Sequence, residues 1–195
     1  MEEIKIRFLV IVNFIRDNKS TGNDITDIEF VTLQFRKILE LIALSSIVSN
    51  KEKYSEVREK FENDWNAKNI IRELERINPE FYPRPVSKVT SHDPSVNYHF
   101  EQIKNGYLTK SAFLKLYEKC GGLLHAENPF GSKKDYASIK QNANEWLNKI
   151  QKLLDLHCVL IYGHEQVWIV QMREGANKDV VVYTAEGKIQ LKYIT

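Results

Sequence analysis

Apolar residues recur at helical spacing through most of the first 156 positions, and at a spacing of two after that. Ile4, Phe8, Ile11, Val12 and Ile15 share one helical face, although Ile4 to Phe8 also alternates as a strand would; length favours a helix. Asp17 to Asp24, with Gly22, is polar and turn-like. The longest helical pattern runs from about Ile25 to Ser49. It is apolar on nearly every side, so it is expected to be buried by its own fold or by a partner subunit. Residues 52 to 77 continue helical in two stripes, Tyr54, Val57, Phe61 and Trp65, then Ala67, Ile70, Ile71, Leu74 and Ile77, with Asn66 capping the second. Asn78-Pro79 ends that helix, because the residue before proline avoids helical angles.

Pro79, Pro83, Pro85 and Pro94 then predict a long irregular segment, pinned to the body by Phe81, Tyr82, Tyr98 and Phe100. Thr109 reads as the cap of a helix descending to His125. After a turn at Asn128 to Ser132, an amphipathic helix runs from about Asp135 to Leu156. Four β-branched and aromatic runs follow: Cys158–Tyr162, Val167–Met172, Val180–Tyr183 and Lys188–Tyr193. The expected fold is mainly α: a bundle of four to six helices over residues 1–156. A small C-terminal antiparallel β-meander over 157–195, packed on the bundle or extending it, makes the class α+β.

Composition narrows the function classes. With 195 residues, 43% of them hydrophobic and 28% charged, the chain can bury one sizeable core. A net charge of +2 gives no basic excess to announce nucleic-acid binding, though local patches remain open. Two cysteines are too few for a disulfide framework and suit a reducing compartment. The run Phe8 to Val12 is too brief, and too closely flanked by charge, for a signal core, and no stretch has the length of a membrane span. A cytoplasmic protein is expected, with no membrane partner.

Candidate chemistry gathers in the stretch Tyr117 to Pro129. Gly121 and Gly122 interrupt a helical pattern there, at a cost of about 1 kcal/mol each relative to alanine. Either something approaches that backbone closely or the helix bends. Lys119 and His125 bracket the glycines, a fixed cation and a group that titrates near neutral pH. On the long apolar helix, Glu29, Arg36 and Glu40 fall within one narrow arc. They form either an ion-paired solvated strip or a polar seam beside a site. Cys120 is either activated by its neighbour Lys119 or a buried structural thiol. His92-Asp93 stands in the proline-rich segment, and His92, His99 and Glu101 match no defined metal-site spacing, so neither metal nor cofactor is expected. His157 and His164 read as ordinary polar residues flanking the first strand.

The long helix IEFVTLQFRKILELIALSSIV and the later helix end YEKCGGLLHAENP resemble the HEPN-type family, as does a basic residue followed a few positions on by histidine. These are helical-bundle proteins of bacterial and archaeal defence and toxin–antitoxin systems, many of them ribonucleases. The resemblance covers roughly residues 25 to 156 and places His125 at the family's histidine. Lys119 stands where the family motif has arginine. Lysine can hold a phosphate as a point charge but cannot make arginine's planar two-pronged contact. The resemblance implies a metal-independent endoribonuclease, a toxin or anti-phage effector, whose site lies at a dimer interface. His125 would be the general acid or base and Lys119 the stabiliser of phosphate charge. Asn128, Arg36 and Glu40 are the residues expected to bind substrate. The alternative is a catalytically inactive scaffold or regulatory subunit. Either way a homodimer or an obligate protein partner is expected, and RNA is a partner only under the first reading.

Overall fold

The computed structural model describes residues 1–48, 67–91, 98–160, 166–172 and 179–186. The stripe Tyr54 to Trp65, the Asn66 cap, His92-Asp93, His164 and the run Lys188–Tyr193 lie outside the described residues.

Five helices are described. α1 (Glu2–Arg16) and α2 (Asp24–Val48) form a hairpin; α3 (Ala67–Ile77), α4 (Lys110–Leu124) and α5 (Tyr136–Leu154) follow. The N-terminal segment takes the helical option, with Ile4 and Ile11 buried. Two of the helix starts are capped by side chains, and of these Thr109 is the cap that the sequence predicts. The Thr109 side chain accepts from the Ala112 N–H, and that of Asp135 accepts from Ser138 N–H, each cap contributing about 1 kcal/mol. α2 is the hub. Phe35, Ile38, Leu39 and Ile42 reach zero exposure, packed with Leu74 of α3, Phe113 of α4 and Ile150 of α5. Trp146 meets Phe35 edge-on at 5.7 Å.

Among the described residues five antiparallel strands form one sheet, β1 (Arg84–Thr90), β2 (Tyr98–Gln102), β3 (Leu156–Leu160), β4 (Gln166–Gln171) and β5 (Val181–Glu186), in the order β2-β1-β3-β4-β5. β3, β4 and β5 are the C-terminal meander, and the class is α+β as the sequence predicts. The proline-rich segment departs from expectation. It is not irregular throughout: β1 and β2 pair from Val86↔Gln102 to Thr90↔Tyr98, and β1 joins β3 at Arg84↔Cys158 and Pro85↔His157. Pro85 lacks an N–H, but it sits one residue into its strand, where proline is tolerated, and its carbonyl still accepts from Ile103 N–H at 2.9 Å. Of the four aromatics expected to pin this segment, Phe81 and Tyr82 do so, Tyr82 donating to the Leu108 carbonyl at 2.8 Å. Tyr98 and Phe100 instead lie exposed on the edge strand.

The central strands are buried on both faces. Val86, Cys158, Val167 and Ile169 make one apolar cluster, and His157, Val159 and Val170 are buried on the alternate positions. His157 is therefore no ordinary polar residue but a fully buried one, a correction explained by its place inside β3 beside the end of α5. Among the described residues no helix is long and apolar enough to cross a membrane.

Candidate functional site

α4 positions the expected site. Phe113, Leu116, Tyr117, Cys120 and Leu123 recur at helical spacing and are buried, which turns one side of the helix into the core. The close approach implied by the glycine pair is found at Gly121 alone. A Cβ there would lie 2.6 Å from Arg36 Nη1, whereas nothing lies within 4 Å of one on Gly122. Arg36 spans from α2 to α4. Its Nε donates to Glu40 Oε1 at 3.1 Å, its Nη2 donates to Tyr117 Oη at 3.0 Å, and its guanidinium lies 4.6 Å from the centre of the Tyr117 ring. Tyr117 Oη also accepts from the Ala67 N–H at 3.2 Å, so one phenol ties α2, α3 and α4. Lys37 reaches Glu40 from the solvent side at 3.0 Å. The Arg36 and Glu40 side chains are 27% and 18% exposed. They are a polar seam between helices rather than a solvated strip.

Lys119 does not join this seam. Two positions beyond Tyr117 it lies on another side of α4. Its ammonium donates to Ser138 Oγ at 2.5 Å, lies 3.6 Å from Asp135 Oδ2 and 6.0 Å from the Trp146 ring centre. It is tied to the start of α5. His125 is the C-cap of α4, with extended backbone (φ −72°, ψ 157°), and it is exposed. Its imidazole bonds to no described residue, and no hydrogen bond or ion pair links it to Lys119. The C-terminal carbonyls of α4 are taken by Lys134, which donates to Leu123 O at 2.6 Å and also to His125 O. That is the role a cation at a helix C-terminus performs. The Lys133-Lys134 pair just past the turn was the available signal. Asn128 organises that turn, its Oδ1 accepting from Phe130 N–H at 3.0 Å and its carbonyl from Gly131 N–H at 2.9 Å.

The remaining reactive groups are subdued. Burial pushes the Cys120 thiol up to about 12, against the opposing pull of Arg36 and Lys119, so it is a core side chain at neutral pH. Burial pushes Cys158 up to about 11. Burial lowers His157 to about 4, while Nδ1–H donates to Leu154 O at 2.9 Å and Nε2 has no partner among the described residues. His99 Nε2 lies 3.2 Å from Glu101 Oε1, and no group of three His, Cys, Asp or Glu side chains among the described residues is arranged to hold a metal.

Of the expected site residues, then, Arg36 and Glu40 meet each other, and Arg36 alone also meets Tyr117 and Gly121. Lys119, His125 and Asn128 each face separate surroundings. Compared with protein-family models, curated proteins and solved structures, the chain matches none.

Proposed function

We propose that the chain is a HEPN-like helical module acting in the cytoplasm without catalysis, as a scaffold or regulatory subunit that works through protein–protein contacts. The observation that carries this is the commitment of Lys119 to Ser138 and Asp135 while His125 has no orienting partner among the described residues. General acid–base catalysis needs a base held in register with a charge stabiliser. Two free, buried cysteines support a reducing compartment. Assembly is supported by the outer face of α1, where Ile6 is 63% and Leu9 44% exposed and Val10 is exposed too.

A second reading, the metal-independent endoribonuclease of a toxin or defence system, is favoured by one observation: the His125 ring is open to solvent, as an RNA-cleaving site requires. Induced expression of the wild type beside His125→Ala separates the two. The scaffold reading expects intact RNA and equal growth in both strains. RNA fragmentation by the wild type, abolished by His125→Ala and insensitive to chelators, would overturn it.

A further inference from the structure

A cavity of about 370 Å³ opens where the end of α1, the start of α2 and the first half of α5 converge. Its walls are apolar: Phe14, Ile15 and Ile28 line it, with Val31, Ile139 and Ala143 buried behind. Its rim carries two cations, Lys19 and Lys140, and two carboxylates, Asp24 and Asp27, with Asn18, Ser20 and Asn144 between them. A rim with balanced charge favours neither a simple anion nor a simple cation.

One charge of each sign is already engaged. Lys19 lies 3.5 Å from Asp17. Asp27 accepts from Thr21 N–H at 2.5 Å and from Thr21 Oγ1 at 2.8 Å, the backbone N–H chiefly holding its carboxyl below the usual range. Asp24 and Lys140 are left. Neither forms a hydrogen bond or ion pair with any described residue, and Lys140 acts on Asp27 only through space. The pocket thus offers one free carboxylate, one free ammonium and a greasy interior of small-ligand size.

We propose that this cavity binds a free α-amino acid with a large apolar side chain, of the leucine or phenylalanine kind. Asp24 receives the ligand's ammonium, Lys140 its carboxylate, and the Phe14–Ile28–Ile139 walls its side chain. Because the walls come from three helices, a bound amino acid clamps the α1–α2 hairpin onto α5 and stabilises the folded chain by mass action. The inference is independent of whether the protein cleaves RNA.

Calorimetry and thermal unfolding of the full chain test it, with L-phenylalanine and L-leucine as ligands. Three controls each lack one recognition element: phenethylamine the carboxylate, 3-phenylpropanoate the ammonium, and glycine the apolar body. The proposal expects saturable heat and a raised Tm for the two amino acids at millimolar concentration. Each control should bind about tenfold more weakly or worse. Lys140→Met and Asp24→Asn, both at exposed positions, should each weaken phenylalanine by about tenfold. Lys140→Met should at the same time lose the preference for phenylalanine over phenethylamine. Ala143→Leu, which adds volume to the wall, should abolish binding while the chain stays folded. The proposal is overturned if neither amino acid binds, if the controls bind as well as phenylalanine, or if both rim variants bind it unchanged.

Discussion

Arg36 Nη1 stands 2.6 Å from the point where a side chain on Gly121 would begin. The absence of a side chain at one position of α4 is what lets the guanidinium of Arg36 on α2 come this close. The arginine cannot simply swing away, because Glu40 and Tyr117 hold two of its nitrogens.

The two adjacent glycines should therefore behave oppositely. Gly122→Ala meets nothing and should stabilise the protein by about 0.5–1 kcal/mol through helix propensity alone. Gly121→Ala should cost about 1–2 kcal/mol, since displacing Arg36 forfeits its bonds to Glu40 and Tyr117. Urea denaturation of both variants checks this. In an Arg36→Ala background the Gly121→Ala penalty should vanish, and a penalty that persists there would refute the relationship.

Removing Arg36 does not wholly strand Glu40, because Lys37 remains 3.0 Å from it. Arg36→Ala should cost about 1–2 kcal/mol, less than the loss of a sole buried partner. Arg36→Ala with Lys37→Ala should cost more than the two single changes added together. Strict additivity in a double-mutant cycle would show that the two cations do not share the carboxylate.

Lys134, not His125, closes the end of α4. Lys134→Ala should destabilise by about 1 kcal/mol and speed amide exchange in the last turn of the helix. His125→Ala, at an exposed position with no side-chain bond to a described residue, should change stability by less than about 0.5 kcal/mol. Equal effects would remove the distinction.

His157 makes stability pH-dependent in one direction. Its folded value, about 4, lies below the ordinary 6.5 because burial disfavours the imidazolium. Between those values the unfolded chain binds more protons than the folded one, so stability rises with pH across that window and is lost as pH falls through it. The loss should approach roughly 3 kcal/mol by about pH 4, beyond what the carboxylates contribute. His157→Asn should flatten that part of the profile. A wild-type curve level from pH 6.5 to about 4 would contradict the assignment.

The outer face of α1 supplies the assembly test. Ile6→Asp and Leu9→Asp fall at exposed positions and should leave the fold intact while halving the mass seen by light scattering, or releasing a co-purifying partner. A wild type that is a clean monomer at tens of micromolar, with no partner, would count against the assembly reading.

Local chemistry made much of this architecture legible in advance. Thr109 as a cap, Asn78-Pro79 as a stop, His125 as a helix end, a helix starting near Asp135 and the change of period before β3 all depend on residues a few positions apart, and all are present. The β1–β2 pair was hidden because the prolines in and around β1 read as irregular chain, while its place in the sheet is set by pairing with β3 far along the chain. The pattern also announced that something must come close to the glycine pair. It could not say that Arg36 does so at Gly121, nor that Lys119 turns instead to Ser138. Sequence spacing places a side chain on one side of its own helix. Which charge it meets there depends on how the helices cross and in what register, and that is settled by packing the whole core.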